Sequence, residues 1–72
     1  RRSILYIIKL DLEGMGTLYF TGKKKVSQGE EQPGLAADLA EALVLDSEED
    51  ASDICRKLIE LYDMDFYYSF IK

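Results

Sequence analysis

The chain has 72 residues, of which 47% are hydrophobic, and it carries a formal net charge of −5. This length suits one small domain over residues 1–72, and the hydrophobic share excludes intrinsic disorder, because disordered chains lack the apolar surface that offsets ordering entropy. The single cysteine excludes an internal disulfide. No apolar run approaches the roughly 20 residues that span a bilayer, so we expect a cytoplasmic protein without a membrane partner.

Charge is distributed unevenly along the chain. Residues 1–25 contain six basic and two acidic residues, a net charge of +4, whereas residues 26–72 contain three basic and twelve acidic residues, a net charge of −9. Phosphate backbones repel an acidic protein, so this composition disfavours a nucleic-acid partner. It favours a protein partner with a basic surface.

The first part of the chain predicts a β-hairpin followed by a loop. Apolar residues occupy both faces of residues 3–12, which indicates a central strand, and two glycines in residues 13–16 suit a tight reversal. Residues 17–21 have the β-branched and aromatic side chains of a second strand. Residues 22–34 contain three glycines, the only proline and almost no apolar side chain, which predicts a flexible loop over residues 23–34.

Two short elements are predicted between this loop and the main helix. Residues 35–42 have helical composition but span only about two turns, so we expect at most a short α-helix or 3₁₀ segment. The apolar residues 43–45 (Leu-Val-Leu) are typical of a brief strand.

Residues 47–62 predict the main helix. Ser47 is a favourable N-cap residue, and the acidic residues of the first turn suit the positive end of the helix dipole. Apolar side chains then recur at intervals of three or four and form a stripe that must be buried. The stripe consists of Ala51, Ile54, Cys55, Leu58 and Leu61, with Ile59 and Tyr62 at its margin.

Residues 63–71 alternate with a period of two and predict the last strand. The order β-β-(short α)-β-α-β predicts an α+β fold, in which helix 47–62 packs on one face of a mainly antiparallel, twisted sheet. The expected partners of the helix stripe in the sheet are Ile4, Tyr6, Ile8, Met64, Phe66, Tyr68 and Phe70.

The residue types argue against an enzyme. The chain has no histidine, which removes the commonest general base, and one cysteine cannot build a structural zinc site. Cys55 lies on the apolar stripe, where a small buried hydrophobic side chain is the expected role. We therefore predict no catalytic residue, no cofactor and no metal.

Three groups of residues are candidates for binding. Acidic residues around the helix start suit docking on a basic protein surface, although capping and the helix dipole also account for them: Asp46, Glu48, Glu49, Asp50 and Asp53. Lys23, Lys24 and Lys25 are candidate phosphate contacts, with a solvated loop tip as the simpler interpretation. Tyr67 and Ile71 have nothing obvious to cover them and are the candidate exposed aromatic and apolar surface.

Three stretches carry a resemblance to known sequences. Residues 6–9 (Tyr-Ile-Ile-Lys), residues 19–23 (Tyr-Phe-Thr-Gly-Lys) and residues 42–51, where Ser-Glu-Glu-Asp-Ala opens the helix, resemble a pattern in short phage and prophage proteins of uncharacterised function. The resemblance spans most of residues 4–62 and implies no catalytic residues. It implies an accessory protein of a mobile element, a class that includes small acidic inhibitors of host defence nucleases such as anti-CRISPR and DNA-mimic proteins.

These observations favour a non-enzymatic protein-binding module, encoded by a phage or mobile element, that inhibits a host protein with a basic surface. Two alternatives stay open. One is a small nucleic-acid-binding domain that uses Lys23 to Lys25 and tyrosines of the sheet. The other is a homo-oligomer, in its simplest form a homodimer, that assembles by pairing of edge strands.

Overall fold

A computed structural model describes residues 4–71, which form a four-stranded antiparallel sheet with one α-helix packed on it. In chain order the elements are β1 (Leu5–Leu12), β2 (Gly16–Ser27), β3 (Glu30–Ala36), a 3₁₀ turn (Leu39–Glu41), α1 (Glu48–Tyr62) and β4 (Tyr67–Ile71). The strands lie in the order β3-β2-β1-β4, so β3 and β4 are the two edges of the sheet. The predicted α+β class is confirmed.

β1 is a central strand because it pairs on both sides. It pairs with β2 from Lys9↔Tyr19 to Leu12↔Gly16, and with β4 from Leu5↔Ile71 to Lys9↔Tyr67. Its consecutive residues Ile7 and Ile8 point to opposite faces, and both are almost completely buried.

The prediction of a flexible loop over residues 23–34 is wrong. These residues, termed the arm below, continue β2 and form most of β3. The two strands pair from Lys24↔Pro33 to Ser27↔Glu30. The connection has φ angles of 52° at Gln28 and 80° at Gly29, as a tight type I′ turn requires. Backbone hydrogen bonds hold such a ladder together without apolar side chains, which is why the composition gave no sign of it.

The arm begins at an irregularity where the β2–β3 register shifts, between Phe20 and Lys24. A Cβ atom at Gly34 would lie 2.6 Å from Thr21 Oγ1 and 2.7 Å from the Lys23 carbonyl oxygen, so only glycine permits this close approach of the strands. β2 contains 12 residues and therefore spans about 40 Å. The long β2–β3 hairpin accounts for most of the 46 Å length of the molecule.

Residues 37–46 pass from β3 to the helix. The turn at Leu39–Glu41 confirms the predicted short 3₁₀ segment. The predicted strand over residues 43–45 is reduced to one isolated bridge, in which Tyr6 N–H donates to Leu45 O at 2.7 Å and Leu45 N–H donates to Tyr6 O at 2.9 Å. This bridge lies beyond the last β1–β2 pair and is too short to count as a strand.

The core lies between α1 and the sheet. The predicted N-cap is present, because Ser47 Oγ accepts a hydrogen bond from Asp50 N–H at 3.4 Å. Of the predicted stripe, Ala51, Cys55 and Leu58 are buried. The central cluster consists of Ile8, Leu10, Phe20, Cys55, Leu58 and Phe66.

Three residues predicted to be in this core are exposed instead: Leu61 (68%), Ile4 (54%) and Phe70 (58%). At about 100° per residue, Leu61 lies about a quarter turn from the centre of the buried stripe, and Tyr62 packs against the core in its place. Ile4 and Phe70 share the helix-side face with Ile8 but stand at the end of the sheet. The prediction of their burial is wrong because the helix does not cover that end.

A candidate protein-binding edge

One edge of the sheet is formed by β4, which is termed the open edge here. It consists of five residues, Tyr-Tyr-Ser-Phe-Ile, and contains no charged residue and no proline. Its register with β1 runs without interruption, and none of residues 4–71 forms a strand pair on its outer side. Charges, prolines and bulges are the usual protection of edge strands, so this edge lacks each of those protections.

The hydrogen bonds of Tyr6 show which backbone groups face outward from the open edge. Tyr6 exchanges both backbone hydrogen bonds with Leu45, so its polar groups point away from β4. Its pairing with Phe70 is therefore a non-hydrogen-bonded one. Backbone groups of successive residues in an antiparallel strand point to alternate sides of the strand. The N–H and C=O groups of Tyr68 and Phe70 therefore point away from β1, towards the unpaired side of β4. Within residues 4–71, the only hydrogen bond recorded to them is a long one from Ser69 Oγ to the Phe70 carbonyl oxygen, at 3.5 Å.

Aromatic side chains flank these backbone groups on both faces. On the helix side, Phe70 is 58% exposed, and the Tyr68 ring meets Tyr6 edge to face with centroids 6.2 Å apart. On the other face lie Tyr67, 39% exposed, and Ile71, half-buried. Of the two residues predicted to form an exposed surface, Tyr67 is exposed and Ile71 is half-buried. The prediction missed Phe70, because nothing local indicates where the helix stops covering the sheet.

A polar cluster fixes the start of the open edge on the face opposite α1. The Tyr67 hydroxyl donates to both carboxylate oxygens of Asp11 at 3.1 Å, and Thr17 Oγ1 donates to Asp11 Oδ1 at 2.7 Å. The pKa of the Tyr67 phenol is raised by loss of solvent around it and by its hydrogen bond to Asp11. The phenol therefore keeps its proton, and its bond to Asp11, at neutral pH.

The opposite edge, β3, is protected. It carries Glu30, Glu31 and Pro33, and Glu31 contacts two neighbours. Lys24 Nζ lies 3.0 Å from Glu31 Oε1, and the Tyr62 hydroxyl of α1 donates to the same oxygen at 3.4 Å. The hydrogen bond with Glu31 raises the pKa of the Lys24 ammonium, which stays charged.

The three candidate lysines lie on β2 and do not form one cluster. Lys24 and Lys25 are successive residues of the regular β2–β3 ladder and point to opposite faces, whereas Lys23 lies within the register shift between Phe20 and Lys24. Lys24 is paired with Glu31. Lys23 and Glu41 both line a cleft of about 350 Å³. The Glu41 carboxylate would repel an anionic ligand in this cleft. This arrangement is less suited to phosphate than the sequence suggests.

The acidic residues of the helix start are all exposed: Asp46, Glu48, Glu49, Asp50 and Asp53. They are termed the acidic patch. Among the described residues, the one ion pair of this patch joins Asp53 Oδ1 to Arg56 at 3.4 Å. No group of three or more carboxylate or thiol side chains within residues 4–71 has the geometry to hold a metal ion.

Cys55 is the only thiol and lies on the buried face of α1. Burial raises the pKa of the Cys55 thiol, which lowers the fraction of reactive thiolate. In the part of the chain that the structure describes, no helix has the length and apolar character needed to cross a membrane.

The comparisons with known proteins add no relative. No protein-family model, curated protein or solved structure matches the chain.

Proposed function

We propose that the chain is a non-enzymatic protein-binding module that acts in the cytoplasm and takes up an extended segment of a protein partner at its open edge. The observation that carries this proposal is the outward direction of the Tyr68 and Phe70 backbone groups in a strand without charge or proline. An added strand would hydrogen-bond to these groups, and its alternate side chains would contact the exposed aromatic residues.

The acidic patch supports a partner with a basic surface. Its side chains are exposed and lie at the start of α1, where opposite charges on a partner would speed association more than they would raise final affinity. An inhibitor encoded by a phage or mobile element, the role that the sequence resemblance implies, is one module of this kind. The opposite directions of Lys24 and Lys25 weigh against the nucleic-acid alternative.

Differential capture from the natural host tests the edge. Phe70→Pro removes one outward N–H group, and the β1–β4 ladder keeps its bonds because that N–H does not point to β1. Met15→Ala is the matched control, since Met15 is 67% exposed in the β1–β2 turn, away from β4. We expect a partner that binds wild type and Met15→Ala and is lost with Phe70→Pro. An unchanged set of captured proteins would overturn the proposal.

The contribution of the acidic patch has its own test. Replacing Glu48, Glu49 and Asp50 with lysine should weaken binding of the captured partner and reduce the dependence of its affinity on salt. Titration calorimetry at two salt concentrations measures both quantities. An unchanged affinity and salt dependence would show that the acidic patch lies outside the interface, which would then consist of the open edge alone.

A further inference from the structure

We propose that the segment paired with the open edge is β4 of a second copy of this chain, in antiparallel register about a two-fold axis at Ser69. This inference rests on the open edge of the proposed function and assigns a second copy, in place of a separate basic partner, as the occupant of that edge. The two four-stranded sheets would join into one continuous sheet. A symmetric pair of this kind is isologous, because the same strand serves both subunits.

The outward backbone groups select this register. An antiparallel partner must place its own outward groups against those of Tyr68 and Phe70. With the axis at Ser69, Tyr68 of each copy faces Phe70 of the other, and each such pair exchanges both N–H···O=C bonds. This register pairs all five residues of β4, whereas a shift by two residues leaves the strand ends unpaired.

The side chains brought together by this register are complementary. Tyr68 lies opposite Phe70 on the helix-side face, and Tyr67 lies opposite Ile71 on the other face. Aromatic pairs and pairs of an aromatic with a β-branched residue are among the favourable cross-strand combinations. Phe70, which is 58% exposed in the single chain, would gain an aromatic neighbour.

Charge selects β4 over β3 as the self-pairing edge. β4 has no charged residue, so pairing with its own copy places no like charges opposite each other. Self-pairing of β3 would draw the charged residues Glu30 and Glu31 into the contact, and it would lack a hydrogen bond at Pro33, which has no N–H to donate. The overall charge of −5 opposes association of two copies, which makes an uncharged contact strand the favourable place for it.

Sedimentation equilibrium tests the dimer. We expect wild type to reach twice the 8.2 kDa mass of one chain as its concentration rises. Phe70→Pro should stay at the mass of one chain with an unchanged far-ultraviolet circular dichroism spectrum, and Met15→Ala should dimerise as wild type does. A wild-type protein that is monomeric throughout, or a Phe70→Pro variant that dimerises equally, would overturn the inference.

Disulfide trapping tests the register. Residues on the two-fold axis form a non-hydrogen-bonded pair with Cα atoms about 4.5 Å apart, which lies within the range that a disulfide spans. Ser69→Cys should therefore give a covalent dimer in a glutathione redox buffer, whereas Met15→Cys should not. The native Cys55 is buried and provides little background. Equal cross-linking of both variants, or none with Ser69→Cys, would overturn this register.

The two proposals fail in different ways. A monomeric wild type that captures another protein through Phe70 would overturn the second copy as the partner, and the open edge would still be the binding site. A wild-type dimer that Phe70→Pro leaves intact would overturn the inference and point to a contact elsewhere on the chain.

Discussion

The two edge strands of this sheet differ in every feature that controls strand pairing. β3 carries two glutamates and a proline, and one of those glutamates is held by Lys24 and Tyr62. β4 carries no charge, and its exposed side chains are aromatic. An open sheet has two edge strands, and in this chain one edge strand is protected from pairing while the other remains able to pair.

The edges also differ in how they are anchored to the core, and a change at this anchor should alter stability more than any other change considered below. Phe66, at the entry to β4, is 4% exposed, whereas Leu35 of β3 is only half-buried. Phe66→Ala should lower the free energy of unfolding by about 3–5 kcal/mol, a large share of what a domain of this size has. Urea denaturation measures the loss.

Leu35→Ala is the matched variant on the protected side. We expect a clearly smaller loss of unfolding free energy, because a half-buried side chain leaves a smaller cavity and loses less apolar burial. Equal losses for the two variants would show that the two edges are held equally firmly, and the contrast in anchoring would be wrong.

The arm offers a change that affects only the protected edge. Gly29 has φ +80° with open space around its missing Cβ, so Gly29→Ala meets no clash and suffers only the backbone penalty, about 1–2 kcal/mol. We expect faster amide hydrogen exchange in residues 23–34 and an unchanged dimer mass. Gln28→Asn, at φ 52°, should slow that exchange, because asparagine adopts the left-handed region more readily. Loss of the dimer with Gly29→Ala would link the arm to the open edge.

The smallest effect concerns the hydroxyl at the start of the open edge. The pKa of Tyr67 is raised in the folded chain, so the folded state holds this proton more tightly than the unfolded state does. The resulting stabilisation is complete below the ordinary tyrosine pKa near 10 and is lost as pH rises through and above it. Tyr67→Phe should therefore show a shallower alkaline decline in melting temperature than wild type between pH 9 and 11.

Circular dichroism at a series of pH values measures that decline. Tyr6→Phe is the control, because the Tyr6 hydroxyl makes no hydrogen bond recorded within residues 4–71 and lies on the other face of the sheet from Tyr67, and it should follow the wild-type curve. Identical curves for wild type and Tyr67→Phe would show that the bond to Asp11 does not contribute to stability.

The elements whose signals are local follow from the amino-acid order alone. Ser47 and the spacing of Ala51, Cys55 and Leu58 specify the helix and its buried face, since a cap and a period of 3.6 are set within a few residues. The period of two in β1 and β4 specifies strands, and the order of elements specifies an α+β fold.

The identity of the edge strands, and with it the candidate site, depends on how distant parts of the chain pack together. The polar arm is a hairpin because its ladder is made of backbone bonds to a partner strand, which composition does not report. Phe70 is exposed because α1 does not reach the end of the sheet, although its position in the sequence pattern matches that of buried residues. Burial and edge position depend on contacts between distant parts of the chain. Periodicity therefore predicts on which face of a strand or helix a residue lies, but not whether another element covers that face.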